Sequence, residues 1–495
     1  MARVINAINA AGYHLLGPDS VKNVAPSGTA AFLMKGTTIH SLFPIPIGPA
    51  QYKPMNSPRA DRLMRLQQEL RGLTCLCLDE RSMVGSVVFG WLEFMLRMGM
   101  NMGLTPNQEY GGLKIMLLFG DDGQLPPVNA SRLFSDKAQA SNAGQAGQLL
   151  YISIKDCIFL TEVVRQKGDP CYTCSEKWHA PGAECTRLRD FLLKLRYSHS
   201  SVGQNYNELN EEDMDWLRER CSHRLDHEEK EKFETGHKIY IHPKIVTMMK
   251  RNKEELLKMS DSGIDTGPCV KSKMKQGKGE YEFGQLPKRT YFCKGAPVMM
   301  TTNLCTEWGL FNGSMGIIAD IYFANGRKPA LDGKEHPDAI LVHMPGYCGS
   351  EVIQGHPHLV PIGASMFQEH CSHECTRCQF PFRMCWAITC HKSQGMTVGP
   401  GKQVELAEVN LGPNDTESWA AGSALVELSR VTEIGALMVD GPVDLLRFTS
   451  RSKGKQAVAN EDGRLFEMFK KTMESEPWLA DDGEYLGMIE AYYNP

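Results

Sequence analysis

The sequence predicts an α/β fold built on parallel β-sheets. Two short apolar runs, residues 73–78 and 113–119, have the length of buried strands, and each ends abruptly in acidic residues. Segment 63–73 repeats apolar residues at helical spacing, which predicts a helix before the first strand. Short strands that are covered on both faces and followed by polar groups are typical of parallel sheets flanked by helices.

The length and composition are those of a globular protein. The 495 residues correspond to about three domains of ordinary size, and 42% of them are apolar. The apolar run that comes closest to spanning a bilayer, residues 83–98, is interrupted by Glu93 and Arg97. Sixteen cysteines predict free thiols in a reducing compartment, some of which could bind metal.

The net charge of −4 is not the positive charge that nucleic-acid-binding proteins often carry, so we looked for nucleic-acid-binding segments in the local distribution of charge. Five basic residues lie between positions 53 and 71, and a second basic run lies between positions 271 and 294. Either run could face DNA or could be a solvated surface, and the sequence leaves both interpretations open.

Composition also indicates how the chain is organised. A first α/β block covers residues 1–150, and a second covers residues 151–312 and 380–450. Residues 313–379 are rich in glycine, proline and strand-like runs, such as 316–323 and 339–343, which predicts a small inserted β module. Residues 451–495 are polar and are predicted to form a peripheral tail.

An acidic pair, Asp79 and Glu80, follows the first predicted strand. In a nucleotide-hydrolysing enzyme the aspartate of such a pair can hold Mg²⁺ through water, and the glutamate can orient or deprotonate the attacking water. Gln124 follows the next strand, where its amide could sense a γ-phosphate. Taken alone, the pair could be an exposed strand end and the Gln124 segment an ordinary tight turn.

Together these two segments, LDERSMV at 78–84 and GDDGQLPPV at 120–128, resemble motifs II and III of the Pif/RecD branch of superfamily-one DNA helicases. The other blocks that resemble this family occur in its order along the chain. They are VAPSGTAA (24–31), GTTIHS (36–41), YGGL (110–113), LTEVVRQ (160–166), KGAPVMM (294–300) with Asn303, NGSMG (312–316), WAITCHKSQG (386–395) and ALVELSRV (424–431).

The resemblance implies two RecA-like P-loop NTPase domains with a small β-barrel inserted in the second. It implies an ATP-dependent helicase that moves 5′ to 3′ on single-stranded DNA and unwinds duplex DNA, in repair, recombination or telomere and genome maintenance. Its cofactors would be ATP and Mg²⁺. Its partners would be single-stranded and forked DNA, bound by a monomer. The location is expected to be intracellular, in the nucleus or the mitochondrion, and an origin in a mobile element also stays open.

The resemblance also assigns roles to individual residues. The implied catalytic residues are Asp79, Glu80, Gln124, Arg165 and Arg430. The two arginines would reach the γ-phosphate from the second domain, because a planar, permanently charged guanidinium suits that contact. The residues on blocks that face single-stranded DNA in this family are Pro26, Ser27, Gly28, Thr38, His40, Asn303, His391, Lys392 and Ser393. Backbone amides, hydroxyl groups and a lysine can contact the phosphates of DNA without recognising its base sequence.

One departure from the family concerns its phosphate-binding loop. The motif Gly-x-x-x-x-Gly-Lys-Ser/Thr does not occur in the 495 residues. Residues 2–11, with Val4, Ile5 and Ile8 on one face, resemble the helix that normally follows the loop. We therefore expect an N-terminal truncation and doubtful ATPase activity for these residues alone. The alternative is a helicase-like protein that only binds DNA.

A second departure is a group of metal-ligating residues. Cys171, Cys174, His179 and Cys185 resemble a zinc knuckle whose last spacer is one residue longer than usual. The other group consists of His370, Cys371, His373, Cys375 and Cys378. Both groups could bind Zn²⁺, and both could instead be loops with free thiols.

Overall fold

The computed structural model describes residues 2–100, 108–137, 139–160, 163–166, 171–197, 208–261, 270–271, 286, 289–290, 292–324, 337–369, 375–449 and 453–475. The chain forms two compact units. The first comprises Met1–Pro26, Gly36–His237 and Ser393–Pro495, and the second comprises Ser27–Lys35 and Lys238–Lys392. These units differ from the predicted boundaries, since residues 151–237 and 393–450 belong with the first unit.

The helices, in chain order, are α1 (Ala2–Leu16), α2 (Gly28–Leu33), α3 (Ile39–Leu42), α4 (Ala60–Glu69), α5 (Ser86–Met100), α6 (Asn142–Ile152), α7 (Arg187–Tyr197), α8 (Glu211–Arg218), α9 (His227–Thr235), α10 (Ile245–Asp261), α11 (Cys390–Ser393), α12 (Thr416–Trp419), α13 (Ser423–Leu428), α14 (Leu445–Thr449) and α15 (Lys453–Ser475). Among the described residues, no helix combines the length and apolarity needed to cross a membrane.

The strands are β1 (Val21–Ala25), β2 (Thr37–Thr38), β3 (Cys75–Leu78), β4 (Ile115–Leu118), β5 (Lys238–His242), β6 (Val270–Lys271), β7 (Arg289–Thr290), β8 (Pro297–Met300), β9 (Met315–Tyr322), β10 (Ala339–His343), β11 (Leu359–Ile362), β12 (Ser365–Glu369), β13 (Cys375–Gln379), β14 (Phe382–Met384), β15 (Ala387–Thr389), β16 (Leu406–Asn410) and β17 (Leu437–Asp440).

A parallel sheet in the order β2-β1-β3-β4 forms the centre of the first unit. The strands predicted at 73–78 and 113–119 are confirmed as β3 and β4, and the helix predicted at 63–73 as α4, with shifted ends. Leu78 pairs with Val24 on one side and with Leu118 on the other. The residues that follow β3 and β4 therefore meet at one edge of the sheet. The first unit also contains the parallel pair β16–β17.

Helices α5 and α6 pack against each other through two glycines. A Cβ atom on Gly90 would lie 1.9 Å from the carbonyl oxygen of Ala143, and one on Gly147 would lie 1.9 Å from the carbonyl oxygen of Ser86. No side chain fits into these spaces, so the two backbones approach each other directly. The contact helps to place Tyr151, near the end of α6, inside the core.

The second unit contains an antiparallel sheet in the order β11-β10-β9-β8-β14. The runs predicted at 316–323 and 339–343 are confirmed as β9 and β10. The sheet extends beyond the predicted module, because β8 and β14 lie outside residues 313–379 and complete it around Phe292, Phe380 and Phe382. The strand order of the described residues does not confirm the small β-barrel that the resemblance implies. The parallel pair β5–β15 also belongs to this unit.

Helix α15 occupies part of the predicted peripheral tail, but it is packed rather than peripheral. Leu465 and Phe469 are buried, and Phe469 packs edge-to-face on Phe159 at 5.4 Å between ring centroids. The Tyr151 hydroxyl donates to Glu461 Oε1 at 2.7 Å. Glycine and lysine at the start of this helix make its sequence polar on average, so its apolar face is not recognised from composition. Residues 476–495 lie outside the described part of the chain.

Candidate functional site

Asp79 and Glu80 directly follow β3 at the carboxyl edge of the parallel sheet. The backbone at Glu80 is left-handed, with φ 52° and ψ 45°, which is uncommon for a residue with a side chain. The Glu80 N–H donates to Asp79 Oδ1 at 2.7 Å, and Asp79 is 5% exposed. This turn therefore holds two carboxyl groups side by side with little access to water.

The electrostatic environment of this pair favours a bound cation. Burial and the neighbouring Glu80 raise the pKa of Asp79 to about 7. Burial also raises the pKa of Glu80, although the Gln394 amide and the guanidinium groups of Arg430 and Arg165 oppose that rise. A divalent cation would offset the cost of keeping both carboxylates ionised, so these donors fit the magnesium ion that the resemblance implies.

Gln394 contacts the acidic pair from a distant part of the sequence. Its Nε2 donates to Glu80 Oε2 at 2.7 Å, and the residue is 3% exposed. Sequence reasoning did not single out Gln394, although the residue lies within the WAITCHKSQG block. The sequence feature that could have identified Gln394 is its polar amide, which directly follows the residues predicted to contact DNA.

The guanidinium groups of Arg165 and Arg430 both oppose the rise in the pKa of Glu80. Arg165 Nη1 donates to the Ser429 carbonyl at 3.0 Å, and Arg430 Nη2 donates to the Ser429 hydroxyl at 2.7 Å. Burial and the like charge of Arg165 lower the pKa of Arg430 to about 9, against the opposing effect of Glu80. Two guanidinium groups held this close together suit an anionic ligand.

The loops that carry the two arginines are joined by Gln166, whose Nε2 donates to the Val431 carbonyl at 2.8 Å. The sequence predicts that both arginines lie in the second domain, but they belong to the same compact unit as Asp79 and Glu80. The predicted domain boundary at residue 150 separates the arginines from the acidic pair. The sequence could not show their common unit, because the hydrogen bonds of Arg165 and Gln166 join residues that are more than 260 positions apart.

Gln124 lies in a tight turn after β4, where its N–H donates to the Asp121 carbonyl at 3.1 Å. Arg196 on α7 anchors this turn by donating through Nε to Asp121 Oδ1 at 2.5 Å. The same guanidinium donates to both carboxylate oxygens of Asp462 on α15, at 2.8 and 2.9 Å. Burial alone would raise the pKa of Asp121, but Arg196 and the N–H of Gly123 hold it below its ordinary value.

A second ion pair connects the turns after β3 and β4. Arg81, the residue after Glu80, donates to Asp122 Oδ2, and the two side chains are 12% and 4% exposed. The Arg81 guanidinium also lies over the ring of Tyr151, 5.8 Å from its centroid. The two turns that carry the predicted catalytic residues are thus held together by buried charge as well as by strand pairing.

In the second unit, Asn312 connects three of the residues predicted to face DNA. Lys392 Nζ donates to Asn312 Oδ1 at 2.7 Å, and the Asn312 N–H donates to Asn303 Oδ1 at 2.8 Å. A Cβ on Gly28 would lie 2.8 Å from the Asn312 carbonyl oxygen, so this close approach requires glycine. Sequence reasoning missed Asn312 as a site residue, although it is the first residue of the NGSMG block.

Ser27 and His391, also in the second unit, have other contacts. The Ser27 hydroxyl accepts from the Ala30 N–H at 3.2 Å and so caps α2. His391 is half-buried, and its Nδ1 lies 3.5 Å from Cys390 Sγ. Burial lowers the pKa of His391, which favours its neutral form.

The remaining residues predicted to face DNA belong to the first unit. The hydroxyl of Thr38 caps α3 by accepting from the Ser41 N–H at 3.3 Å, and His40 is exposed on that helix. Pro26 is half-buried after β1. Ser393 is 0% exposed, and its carbonyl accepts from Arg430 Nη1 at 3.4 Å. Its burial differs from the surface position that the resemblance implies, because it lies beneath the loop of Arg430.

Four metal-ligating side chains converge in the segment before α7. The ligand atoms of Cys171, Cys174, His179 and Cys185 all lie within 4.8 Å of one another. Burial raises the pKa of Cys174 to about 12. In the other predicted group, His370, Cys371 and His373 lie outside the described residues, and Cys375 and Cys378 lie on β13.

Comparison with known proteins identifies relatives of this chain. Residues 13–192 match the family model described as PIF1-like helicase. The chain is 26% identical over 431 residues to the ATP-dependent DNA helicase PIF1 of Danio rerio, covering 86% of this chain and 55% of that protein. It is 25% identical over 390 residues to the ATP-dependent DNA helicase Pif1 of Campylobacter jejuni, covering 75% and 73% of the two chains.

Two solved structures share the fold. The Pif1 helicase from Candida albicans superimposes with a TM-score of 0.62 at 20% identity, over 94% of this chain and 93% of that one. The Pif1 helicase from Bacteroides in complex with ADP-AlF3 and ssDNA gives a TM-score of 0.59 at 19% identity, over 92% and 88%. This likeness confirms the predicted α/β fold with two RecA-like domains.

Proposed function

We propose that this chain is a PIF1-like helicase and forms the motor of an ATP-dependent DNA helicase, because residues 13–192 match the model of that family and similar proteins are ATP-dependent DNA helicases. The motor unwinds duplex DNA while it moves 5′ to 3′ along single-stranded DNA. We base this on one observation: at the end of β3, Glu80 accepts a hydrogen bond from Gln394 and is subject to the positive charges of Arg165 and Arg430. A carboxylate and two guanidinium groups held together suit phosphoryl transfer, which depends on positioning and on charge compensation.

In this proposal each side chain has a distinct role. Asp79 would hold Mg²⁺ through water, and such an ion would supply positive charge opposite the phosphates. Glu80 accepts a proton from the attacking water, with its orientation fixed by the Gln394 amide. Arg165 and Arg430 stabilise the charge that develops on the γ-phosphate, and Gln124 senses that phosphate.

We further propose that single-stranded DNA contacts the group formed by Lys392, Asn312 and Asn303, with Gly28 close to its backbone. Such polar groups position a phosphate backbone without reading sequence. Pro26, Ser27, Thr38, His40 and His391 stay candidates for the same role, whereas buried Ser393 is not included. Forked DNA as substrate and a monomeric state remain predictions.

The rate of ATP hydrolysis tests the proposed motor function. We expect the 495-residue chain to hydrolyse ATP slowly, because the phosphate-binding loop motif is not among its residues and the triphosphate loses its main anchor. The same chain fused to a strand–loop segment ending in Gly-Lys-Thr should hydrolyse ATP faster when single-stranded DNA is added. Steady-state hydrolysis by both proteins, and strand separation of a forked duplex, measure this.

Two results would change the interpretation. Rapid turnover by the unfused chain would show that the loop is not needed. A fused chain that binds DNA but neither hydrolyses ATP nor separates strands would favour the alternative function, a helicase-like protein that only binds DNA.

Lys392→Ala should weaken binding of single-stranded DNA equally for unrelated sequences. Removing one phosphate contact should also reduce the slope of log affinity against log salt by about 1. Fluorescence anisotropy with two oligonucleotides of different sequence, over a range of salt concentrations, measures both effects. Lys250→Ala, at an exposed lysine on α10, is the matched control and should change neither. An unchanged salt slope, or a loss confined to one sequence, would contradict the assignment.

A further inference from the structure

We propose that Cys171, Cys174, His179 and Cys185 together bind one structural zinc ion. The four residues belong to the first unit but are not used by the proposed motor, and the inference does not depend on the helicase activity. It rests on the arrangement of the ligand atoms, on a histidine nitrogen without a partner, and on the packing around the thiols.

The spacing of the ligand atoms fits tetrahedral zinc. Bonds of about 2.3 Å from zinc to sulfur place two coordinated sulfurs roughly 3.8 Å apart. Cys174 Sγ and Cys185 Sγ are 3.9 Å apart, and all four ligand atoms lie within 4.8 Å of one another. A disulfide would need about 2.05 Å between the same two atoms, so the described geometry suits shared coordination and not a bond between sulfurs.

His179 is oriented as a zinc ligand would be. Its Nδ1 lies 2.9 Å from the Ala180 carbonyl oxygen, so Nδ1 carries the hydrogen and donates to that oxygen. The other nitrogen, Nε2, is buried and has no hydrogen-bond partner. A buried acceptor without a hydrogen-bond partner destabilises the folded state. Coordination to zinc removes this cost, and a hydrogen bond from the second ring nitrogen to a carbonyl is typical of zinc-bound histidine.

The surroundings of the thiols support the same conclusion. The indole N–H of Trp216 on α8 donates to Cys174 Sγ at 3.4 Å, and Trp216 is 2% exposed. A buried N–H donor directed at a cysteine sulfur is the kind of outer-shell hydrogen bond that orients a zinc ligand. The backbone closes the site, because Gly182 N–H donates to the Cys171 carbonyl at 2.9 Å and Cys171 N–H donates to the Ala183 carbonyl at 3.1 Å.

The segment that holds these ligands needs a cross-link. Residues 171–185, all of which the structure describes, form turns and contain no helix or strand. A stretch of this length without secondary structure has little to offset the entropy lost when it becomes ordered. Bonds from Trp178 and Ser175 to Glu219 Oε1, at 2.7 and 2.9 Å, fix one side of it. A zinc ion bound by the four ligands would fix the interior of the segment.

The zinc content of the purified chain tests the proposal. Protein purified under reducing conditions from zinc-supplied cells should carry bound zinc, measured by inductively coupled plasma mass spectrometry. Cys174→Ser and His179→Ala should each lower the content by about one ion per chain. Cys348→Ser, which changes an exposed cysteine outside the group, is the matched control and should leave it unchanged. The comparison between variants separates this site from any zinc bound near Cys378.

A conservative variant separates loss of the ligand from misfolding. His179→Cys replaces the nitrogen ligand with a fourth thiolate and should retain zinc, because four cysteines also form a tetrahedral site. With cobalt in place of zinc, this variant should give a visible spectrum shifted from that of the unchanged chain. The proposal fails if the purified chain carries no zinc. It also fails if Cys174→Ser and His179→Ala keep as much as Cys348→Ser, or if His179→Cys loses zinc while its circular dichroism stays unchanged.

Discussion

Arg196→Ala is expected to lower the free energy of unfolding by about 3–5 kcal/mol, because it leaves the buried Asp462 carboxylate without its counter-charge. The Arg196 and Asp462 side chains are 11% and 6% exposed, so water cannot take the place of the lost bonds. The contact with Asp121 should contribute less, since that carboxylate is 35% exposed. Urea denaturation at neutral pH measures the change.

A matched variant on the same helix provides the control. Arg189 pairs with Asp190 through side chains that are 36% and 48% exposed, so Arg189→Ala should cost only about 0–1 kcal/mol. Equal losses from Arg189→Ala and Arg196→Ala would contradict the assigned anchor. Arg196 also helps to hold the pKa of Asp121 below its ordinary value. The stability that this lowered pKa contributes is present above about pH 4. It is lost as the pH falls towards the pKa of Asp121 in the folded protein.

Glu80→Gln, made in the chain fused to a phosphate-binding segment, should lower the rate of ATP hydrolysis by a factor of about 10²–10⁴. Glutamine has nearly the same shape, and its carbonyl oxygen can still accept the hydrogen bond from Gln394. It cannot accept a proton from water. Binding of ATP and of single-stranded DNA should therefore be retained while turnover is lost. Steady-state hydrolysis and equilibrium nucleotide binding, measured on the same preparation, distinguish these effects.

Glu69→Gln is the matched control for this variant, because Glu69 is an exposed glutamate on α4 that pairs with Lys22. Its turnover should equal that of the unchanged fusion. If Glu80→Gln retained turnover within a few-fold, Glu80 would not be the base. If it lost nucleotide binding as well, the carboxylate would serve to hold the metal ion and not to accept a proton.

Much of the first unit's sheet could be predicted from local sequence. β3 and β4 are short apolar runs with polar residues after them, and the pairing of parallel strands brings those polar residues to one edge. Asp79 and Glu80 could be identified as a pair for the same reason. These features depend on residues that are close together in the sequence, where hydrophobic pattern and strand length are informative.

Other parts of the site depend on contacts between distant residues, which no local pattern encodes. Gln394 contacts Glu80 across 314 positions, and Arg196 contacts Asp462 across 266. The packing of α15 was missed for that reason, because its apolar face has meaning only against Phe159 and the rest of the core. The burial of Ser393 likewise follows from the position of the loop that carries Arg430, and the sequence around Ser393 does not predict it.

The two glycines between α5 and α6 restrict how this sequence can diverge during evolution. Each has the opposite helix's backbone where a Cβ would lie, so a larger residue at either position forces the helices apart. A smaller residue on the other side cannot compensate, because each Cβ would meet a backbone carbonyl oxygen, that of Ala143 or that of Ser86, which every residue carries. Descendants that keep this helix contact are expected to retain Gly90 and Gly147 together. The pair could therefore reveal common ancestry in chains whose catalytic blocks have changed beyond recognition.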